Sequence, residues 1–157
     1  MIIRLLQPGE GTRAAALTNA CEGAAQWPRA EYERLAEEAT SGNNAGHFRL
    51  LAEETPGEIA GLLVASLVAE EAEVLNLAVV REKCQRGLAT ALLAEALRRL
   101  GAAGARKVWL EVRESNQAAI TFYRRHGFGI LGRRRVYYQA PREDALILGR
   151  NLDLPLG

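Results

Sequence analysis

The chain has 157 residues, and 20 lysines and arginines stand against 19 aspartates and glutamates, for a formal net charge of +1. That balance gives no global attraction to nucleic acid or to a membrane surface, and 48% hydrophobic with 25% charged residues is ordinary for one globular domain spanning residues 1–157. Cys21 and Cys84 lie far apart with no Cys-x-x-Cys or Cys/His spacing, which argues against a disulfide framework and a zinc site.

In chain order, Ile2 to Leu6 reads as a short apolar strand stopped by Pro8 and Gly9. The opening run breaks at Arg4 and Pro8, too short for a signal-peptide core or a membrane span, so a cytoplasmic protein is expected. Helices are predicted over about 11–21 and 29–39, the second rich in strong helix formers and preceded by Pro28. A loop, Ser41 to Gly46, leads to strands over 48–53 and 58–70, joined by a turn at Thr55-Pro56-Gly57. A further strand, 72–80, completes a meander.

The next segment carries most of the chemistry. After Gly87 a helix is predicted, with Leu88, Leu92, Leu93, Ala96, Leu97 and Leu100 on one face and Glu95, Arg98 and Arg99 on the other. Gly101 and Gly104 end it. Residues 106–113 alternate, with Val108, Leu110 and Val112 on one face and Trp109 and Glu111 on the other. Ser115 or Asn116 caps a short helix that Gly127 stops after Arg124, Arg125 and His126. Closing strands over 128–138 and 145–152 flank a loop at Pro141. These elements make a mixed α+β domain around a largely antiparallel sheet.

A helix that starts directly after a glycine turn presents unpaired backbone N–H groups and the positive end of its dipole, which suit a phosphate or pyrophosphate. No Gly-Lys-Ser/Thr follows the turn, so a nucleoside-triphosphate loop of the Walker type is disfavoured.

The turn, Cys84-Gln85-Arg86-Gly87-Leu88-Ala89, resembles the acetyl-CoA signature Q/R-x-x-G-x-G/A of the GCN5-related N-acetyltransferase (GNAT) superfamily. The block from Trp109 to Phe128 and the pattern Arg134, Arg135, Tyr137, Tyr138 followed by 142–145 are similar to its branch of bacterial ribosomal-protein alanine N-acetyltransferases. The resemblance implies the GNAT fold, a central mixed, mostly antiparallel sheet of six to seven strands with about four helices. It implies acetyl-CoA as acetyl donor and a primary amine as acceptor. One departure stands out: Cys84 occupies the position where the family has Gln or Arg.

The resemblance also implies site residues. Cys84, Gln85, Arg86, Gly87, Leu88, Ala89 and Thr90 would cradle the CoA pyrophosphate through backbone N–H groups, while Leu77 and Val79 would offer backbone groups to the pantetheine arm. Asn116 would cap its helix, contact the pantetheine, or both. Glu111 would be the general base that takes a proton from the acceptor ammonium; the alternative is a strand carboxylate paired with Arg113 or Lys107. Tyr123 would donate a proton to the departing thiolate, with Phe122 beside it taking the core position. Tyr137 and Tyr138 would line an acceptor channel, although strand alternation lets only one face it. Trp27 would line the same cleft or simply pack.

His47 and His126 read as loop and helix-end residues. The basic runs at 124–126 and 133–135 read as solvated surface, or as steering groups for CoA phosphates or an RNA-rich partner. The acceptor is expected to be a protein N-terminal α-amine, of the ribosomal-protein alanine type. Two alternatives stay open: a small-molecule amine (amino acid, polyamine or antibiotic), and a non-catalytic acyl-CoA-binding regulatory module. No membrane or direct nucleic-acid partner is expected.

Overall fold

Seven strands hydrogen-bond into one sheet in the computed structural model, which describes residues 1–21, 23–40, 46–80, 87–139 and 142–152. In chain order the elements are β1 (Ile2–Leu5), α1 (Gly11–Asn19), α2 (Arg29–Thr40), β2 (His47–Thr55), β3 (Glu58–Val68), β4 (Glu71–Val79), α3 (Leu88–Ala102), β5 (Lys107–Arg113), α4 (Gln117–Arg125), β6 (Gly129–Gln139) and β7 (Arg142–Asn151). The sheet order is β1-β2-β3-β4-β5-β7-β6, antiparallel except for the β4–β5 pair. This is the mixed, mostly antiparallel seven-stranded sheet with four helices that the resemblance implies. Small differences fall at element ends: β3 stops at Val68 because Ala69 adopts a left-handed φ of 55° and turns the chain into β4.

The two faces of the sheet carry separate apolar cores. On one, Leu88, Leu92, Leu93, Ala96 and Leu100 of α3 pack with Val108, Leu110 and Val112 of β5 and with Ile120 and Tyr123 of α4. The heptad-like leucine stripe of α3 therefore buries against the predicted inward set of β5. Gly61 of β3 permits this approach, because a Cβ there would lie 2.9 Å from Leu92 Cδ1. On the other face, Leu17 of α1 and Tyr32 and Leu35 of α2 cover Leu51, Leu62, Val64 and Ala78.

The feature that shapes the site lies in β4. Opposite β3 its register shifts between Val64↔Asn76 and Ala65↔Val74, so Leu75 is an extra residue, a β-bulge. A bulge bends and twists its strand. β4 pairs with β5 only through Glu71, Ala72 and Glu73, and beyond that no β4–β5 pairing continues. The two strands thus diverge, and a gap opens in the middle of the sheet. No helix among the described residues is long and apolar enough to cross a membrane.

Candidate active site

On the face bearing α1 and α2, the divergence of β4 and β5 leaves a cleft of ≈ 280 Å³. Glu73 of β4 and Glu111 of β5 form its acidic floor, Val74 and Leu75 lie beside them, and Trp27, Tyr137 and Tyr138 are its aromatic walls. Glu111 points away from the α3 core, as the alternation of β5 requires, and its side chain is only 11% exposed. Its ion-pair partner is Arg134 Nε of β6 at 2.9 Å, not Arg113 or Lys107. Arg113 instead pairs with Glu143 of β7 at 3.0 Å.

Both tyrosines reach the cleft, which corrects the expectation that alternation admits only one. The β6–β7 register shifts between Arg134 and Tyr138, and this irregularity breaks the alternation where the pair sits. Their rings meet edge to face at 5.1 Å. The guanidinium of Arg113 lies 4.1 Å from the Tyr138 ring centre, and that of Arg134 lies 5.4 Å from the Tyr137 ring centre. Burial, and then the charge of Glu111, push the Tyr138 phenol up from its ordinary value.

Glu73 was not singled out from sequence. Its alternation marks it as pointing away from α3, but nothing local shows that β5 brings a second carboxylate beside it. Burial first and the Glu111 charge second raise its carboxyl above the usual carboxylate value, against the opposing pull of Arg134. Asn76 was also missed as a site residue. Buried on β4, it hydrogen-bonds both backbone groups of Ala25 and the Tyr32 hydroxyl, and so fixes the segment that carries Trp27. Trp27 both packs, 5.5 Å from the Tyr32 ring, and lines the cleft.

Tyr123 lies on the other side of the gap, in the α3 core, and is not part of the cleft wall. It is the more buried of the two neighbours: Phe122 is half-buried and packs edge-on against Tyr123 and His126, reversing the expected assignment of the core position. The reason is that Tyr123 also meets Phe128, at 5.3 Å, where the chain returns from α4. Burial alone drives the Tyr123 phenol far above its ordinary value. Asn116 caps α4 by accepting from the Ala119 N–H at 3.2 Å. Its amide also abuts Gly23, where a Cβ would lie 2.7 Å from Asn116 Nδ2.

The α3 terminus has the makings of a phosphate cradle. Gly87 is its N-cap, with a left-handed φ of 81° and no side-chain cap, and no acidic residue stands in the first turn. The Leu88, Ala89 and Thr90 N–H groups begin the helix, where no preceding turn can accept from them. A Cβ on Gly87 would meet no described residue within 4 Å. The Leu88 side chain is core, which leaves only its backbone for a ligand. Thr90 Oγ1 sits 3.2 Å from His126 Nε2, tying the start of α3 to the end of α4. Cys84, Gln85 and Arg86 lie outside the described residues. The Val80 N–H donates to Ala60 of β3, so strand alternation turns the backbone groups of Leu77 and Val79 toward the gap. There the Val79 carbonyl accepts from Cys21 Sγ at 3.2 Å.

Arg133 and Arg134 are not merely solvated. Arg133 pairs with Glu114 at 2.6 Å and Asp144 at 3.1 Å, and Arg134 with Glu111. His47 belongs to β2 rather than a loop and faces Glu38 at 3.2 Å. A larger cavity of ≈ 580 Å³, between the end of α3 and the start of β2, is lined by His47, Arg49 and Arg99 among others. Among the described residues it brings no carboxylate to its wall and shares no lining residue with the cleft.

Residues 13–128 match the model of the acetyltransferase (GNAT) family. The [ribosomal protein bS18]-alanine N-acetyltransferase of Escherichia coli is 38% identical over 114 residues, covering 71% of this chain and 77% of that protein. A putative [ribosomal protein bS18]-alanine N-acetyltransferase of Bacillus subtilis is 32% identical, covering 68% of this chain and 69% of the relative. The crystal structure of the Escherichia coli ribosomal-protein-S18-alanine N-acetyltransferase superposes with a TM-score of 0.79 at 27% identity, covering 99% of this chain and 98% of that one.

Proposed function

This chain belongs to the acetyltransferase (GNAT) family and is an N-acetyltransferase, and from that premise we propose that its acceptor is the α-amine at a protein N-terminus. The observation that carries this reading is the acidic floor of Glu73 and Glu111 between the walls of Trp27, Tyr137 and Tyr138. A carboxylate floor attracts an ammonium group, and aromatic walls hold a cation and the short side chain beside it. The relatives suggest an alanine-starting ribosomal protein, met in the cytoplasm.

Acetyl-CoA would supply the acetyl thioester. The first-turn N–H groups of Leu88, Ala89 and Thr90 suit its pyrophosphate, and the gap-facing backbone of Leu77 and Val79 suits its pantetheine arm. Glu111 orients the ammonium and receives its proton directly or through water. Tyr123, on the α3 side of the sheet, would be the donor for the leaving thiolate, a role that rests on its match to the family's position and on a phenol's one O–H. Asn116 fixes the start of α4 and so the position of Tyr123. Much of the rate then comes from holding two reactants on either side of one opening.

Mass spectrometry of an Ala-starting peptide after incubation with enzyme and acetyl-CoA tests the acceptor. One added acetyl group on the α-amine, with no product from the same peptide blocked at its N-terminus, is the expected result. Turnover confined to small amines such as free amino acids or polyamines would overturn it.

A further inference from the structure

Behind each tyrosine of the cleft wall stands an arginine, and behind each arginine a glutamate. Arg134 faces the Tyr137 ring at 5.4 Å and pairs with Glu111 at 2.9 Å. Arg113 faces the Tyr138 ring at 4.1 Å and pairs with Glu143 at 3.0 Å. The two sets differ in one respect. Glu111 lines the cleft, whereas neither Arg113 nor Glu143 does.

Topology brings the second set together. Arg113 ends β5 opposite Ala145 of β7, and Glu143 stands two residues before Ala145, directly opposite Tyr138 of β6. Strand alternation therefore puts Arg113, Glu143 and Tyr138 on one face of the sheet. The Glu143 carboxylate takes three hydrogen bonds. Its Oε1 accepts from the Arg113 guanidinium and the Ser115 hydroxyl, each at 3.0 Å, and its Oε2 accepts from the Ser115 N–H at 3.1 Å. The bond from Arg113 holds the Glu143 carboxyl below its ordinary value, so the group stays charged. Three donors on one carboxylate leave little freedom to it or to the guanidinium it binds. Tyr138 needs such a support, because the β6–β7 register shifts between Arg134 and Tyr138 and interrupts the ladder there.

We propose that Arg113 and Glu143 are positioning residues for the acceptor: Glu143, anchored on the turn before α4, aims the Arg113 guanidinium, which holds the Tyr138 ring against the cleft. Neither side chain touches the acceptor in this scheme; both act through Tyr138. The inference rests on the acceptor entering between the aromatic walls. A planar guanidinium over a ring attracts its face and limits its tilt, which a compact ammonium does less well.

The test is a double-mutant cycle read in the KM of the acceptor. Arg113→Gln, Arg113→Lys and Glu143→Gln are each made in wild type and in Tyr138→Ala, and assayed with acetyl-CoA on an Ala-starting peptide and on a small primary amine. In the wild-type background Arg113→Gln is expected to raise the acceptor KM about fivefold and leave the KM for acetyl-CoA unchanged. Arg113→Lys, which keeps the charge, recovers part of that loss, and Glu143→Gln moves the acceptor KM in the same direction. In the Tyr138→Ala background all three leave the acceptor KM where Tyr138→Ala alone puts it. An Arg113→Gln enzyme with the wild-type acceptor KM overturns the proposal, as does a rise of equal size when the tyrosine is absent. Equal falls of Tm and kcat in both backgrounds also overturn it, since they mark a purely structural role. NMR spectra with isotope-labelled tyrosine read the ring without turnover: Arg113→Gln shifts the Tyr138 ring signals and leaves those of Tyr32 and Tyr123 in place, and an unmoved Tyr138 signal refutes the relay. The two acceptors keep the readings apart: a wild-type enzyme that uses only the small amine refutes the protein N-terminus, while the cycle on that amine still decides the role of Arg113.

Discussion

Asn76 grips Ala25 by both ends of its amide: Oδ1 accepts from the Ala25 N–H at 3.2 Å, and Nδ2 donates to the Ala25 carbonyl at 3.1 Å. The same Nδ2 reaches the Tyr32 hydroxyl at 3.2 Å. One side chain on β4 thereby fixes the approach to Trp27, two residues past Ala25. Asn76→Leu removes the side-chain partners of the part-buried Ala25 N–H and carbonyl and leaves the Tyr32 hydroxyl with Thr18 alone, at a cost of about 1–3 kcal/mol. The denaturant midpoint should fall accordingly. In steady-state kinetics, KM for the acceptor peptide should rise several-fold while KM for acetyl-CoA changes little. An unchanged acceptor KM would remove Trp27 and its segment from acceptor binding.

Gly87→Ala isolates the backbone requirement at the start of α3. The φ of 81° is left-handed, and the added methyl would meet no described residue within 4 Å, so the penalty comes from conformation. About 1–2 kcal/mol is expected from that preference, or a helix start that relaxes and re-aims its N–H groups. Thermal melts with and without acetyl-CoA separate the two. A lower Tm with an undiminished gain on adding acetyl-CoA would show that the first-turn donors do not hold the cofactor.

The Tyr123 phenol gives a prediction at alkaline pH. Its folded-state value is raised by burial, so the folded protein retains a proton that the unfolded chain releases above pH of about 10. The stability it contributes is complete below that pH and is lost as pH rises through the folded-state value. Tyr32, raised for the same reason, adds to the effect. Tyr123→Phe should flatten the alkaline loss in urea midpoints taken from pH 8 to 11. It keeps the edge-on contacts with Phe122 and Phe128, so the fold should persist while kcat drops about 10²-fold. A variant as active as wild type would end the role of Tyr123 as donor.

At acid pH the sensitive feature is the knot where β1 meets α1. Arg4 binds Glu10 through both terminal nitrogens, at 2.8 Å and 2.6 Å, and Glu53 through Nε at 2.9 Å. The bond from Arg4 holds the Glu10 carboxyl below its ordinary value of 4.5. Stability from this group is present above that value and lost as pH falls through the depressed one. Glu10→Gln should be less stable at pH 7 and lose less between pH 6 and 3. Parallel curves for the two proteins would assign the acid sensitivity elsewhere.

Periodicity and turn chemistry sufficed for the elements and for most of the cleft. The leucines of α3 and the alternation of β5 dictate which faces are buried, and so place Glu111 outward. Gly87 announces its left-handed turn, and Asn116 its cap. What a single chain does not display is the irregular pairing between strands. The bulge at Leu75 frees β4 from β5, and the shift after Arg134 brings both tyrosines to one wall. Neither has a local signature, because each is a property of two strands together. For the same reason Glu73 and Asn76 read as ordinary strand residues until their neighbours from distant segments are in place.

The sheet has two open edges, and both are built against extension. β1 offers four residues, and β6, on the far side, breaks register twice and carries Arg133 and Arg134 where another copy would add a strand. Short edges, irregular edges and edge cations all oppose such pairing. The arginine that partners Glu111 in the cleft thus stands in a run that also keeps Ile130 and Leu131, both half-exposed on the same strand, from seeding a larger sheet. One stretch of β6 thus guards an edge of the sheet and holds a carboxylate of the cleft.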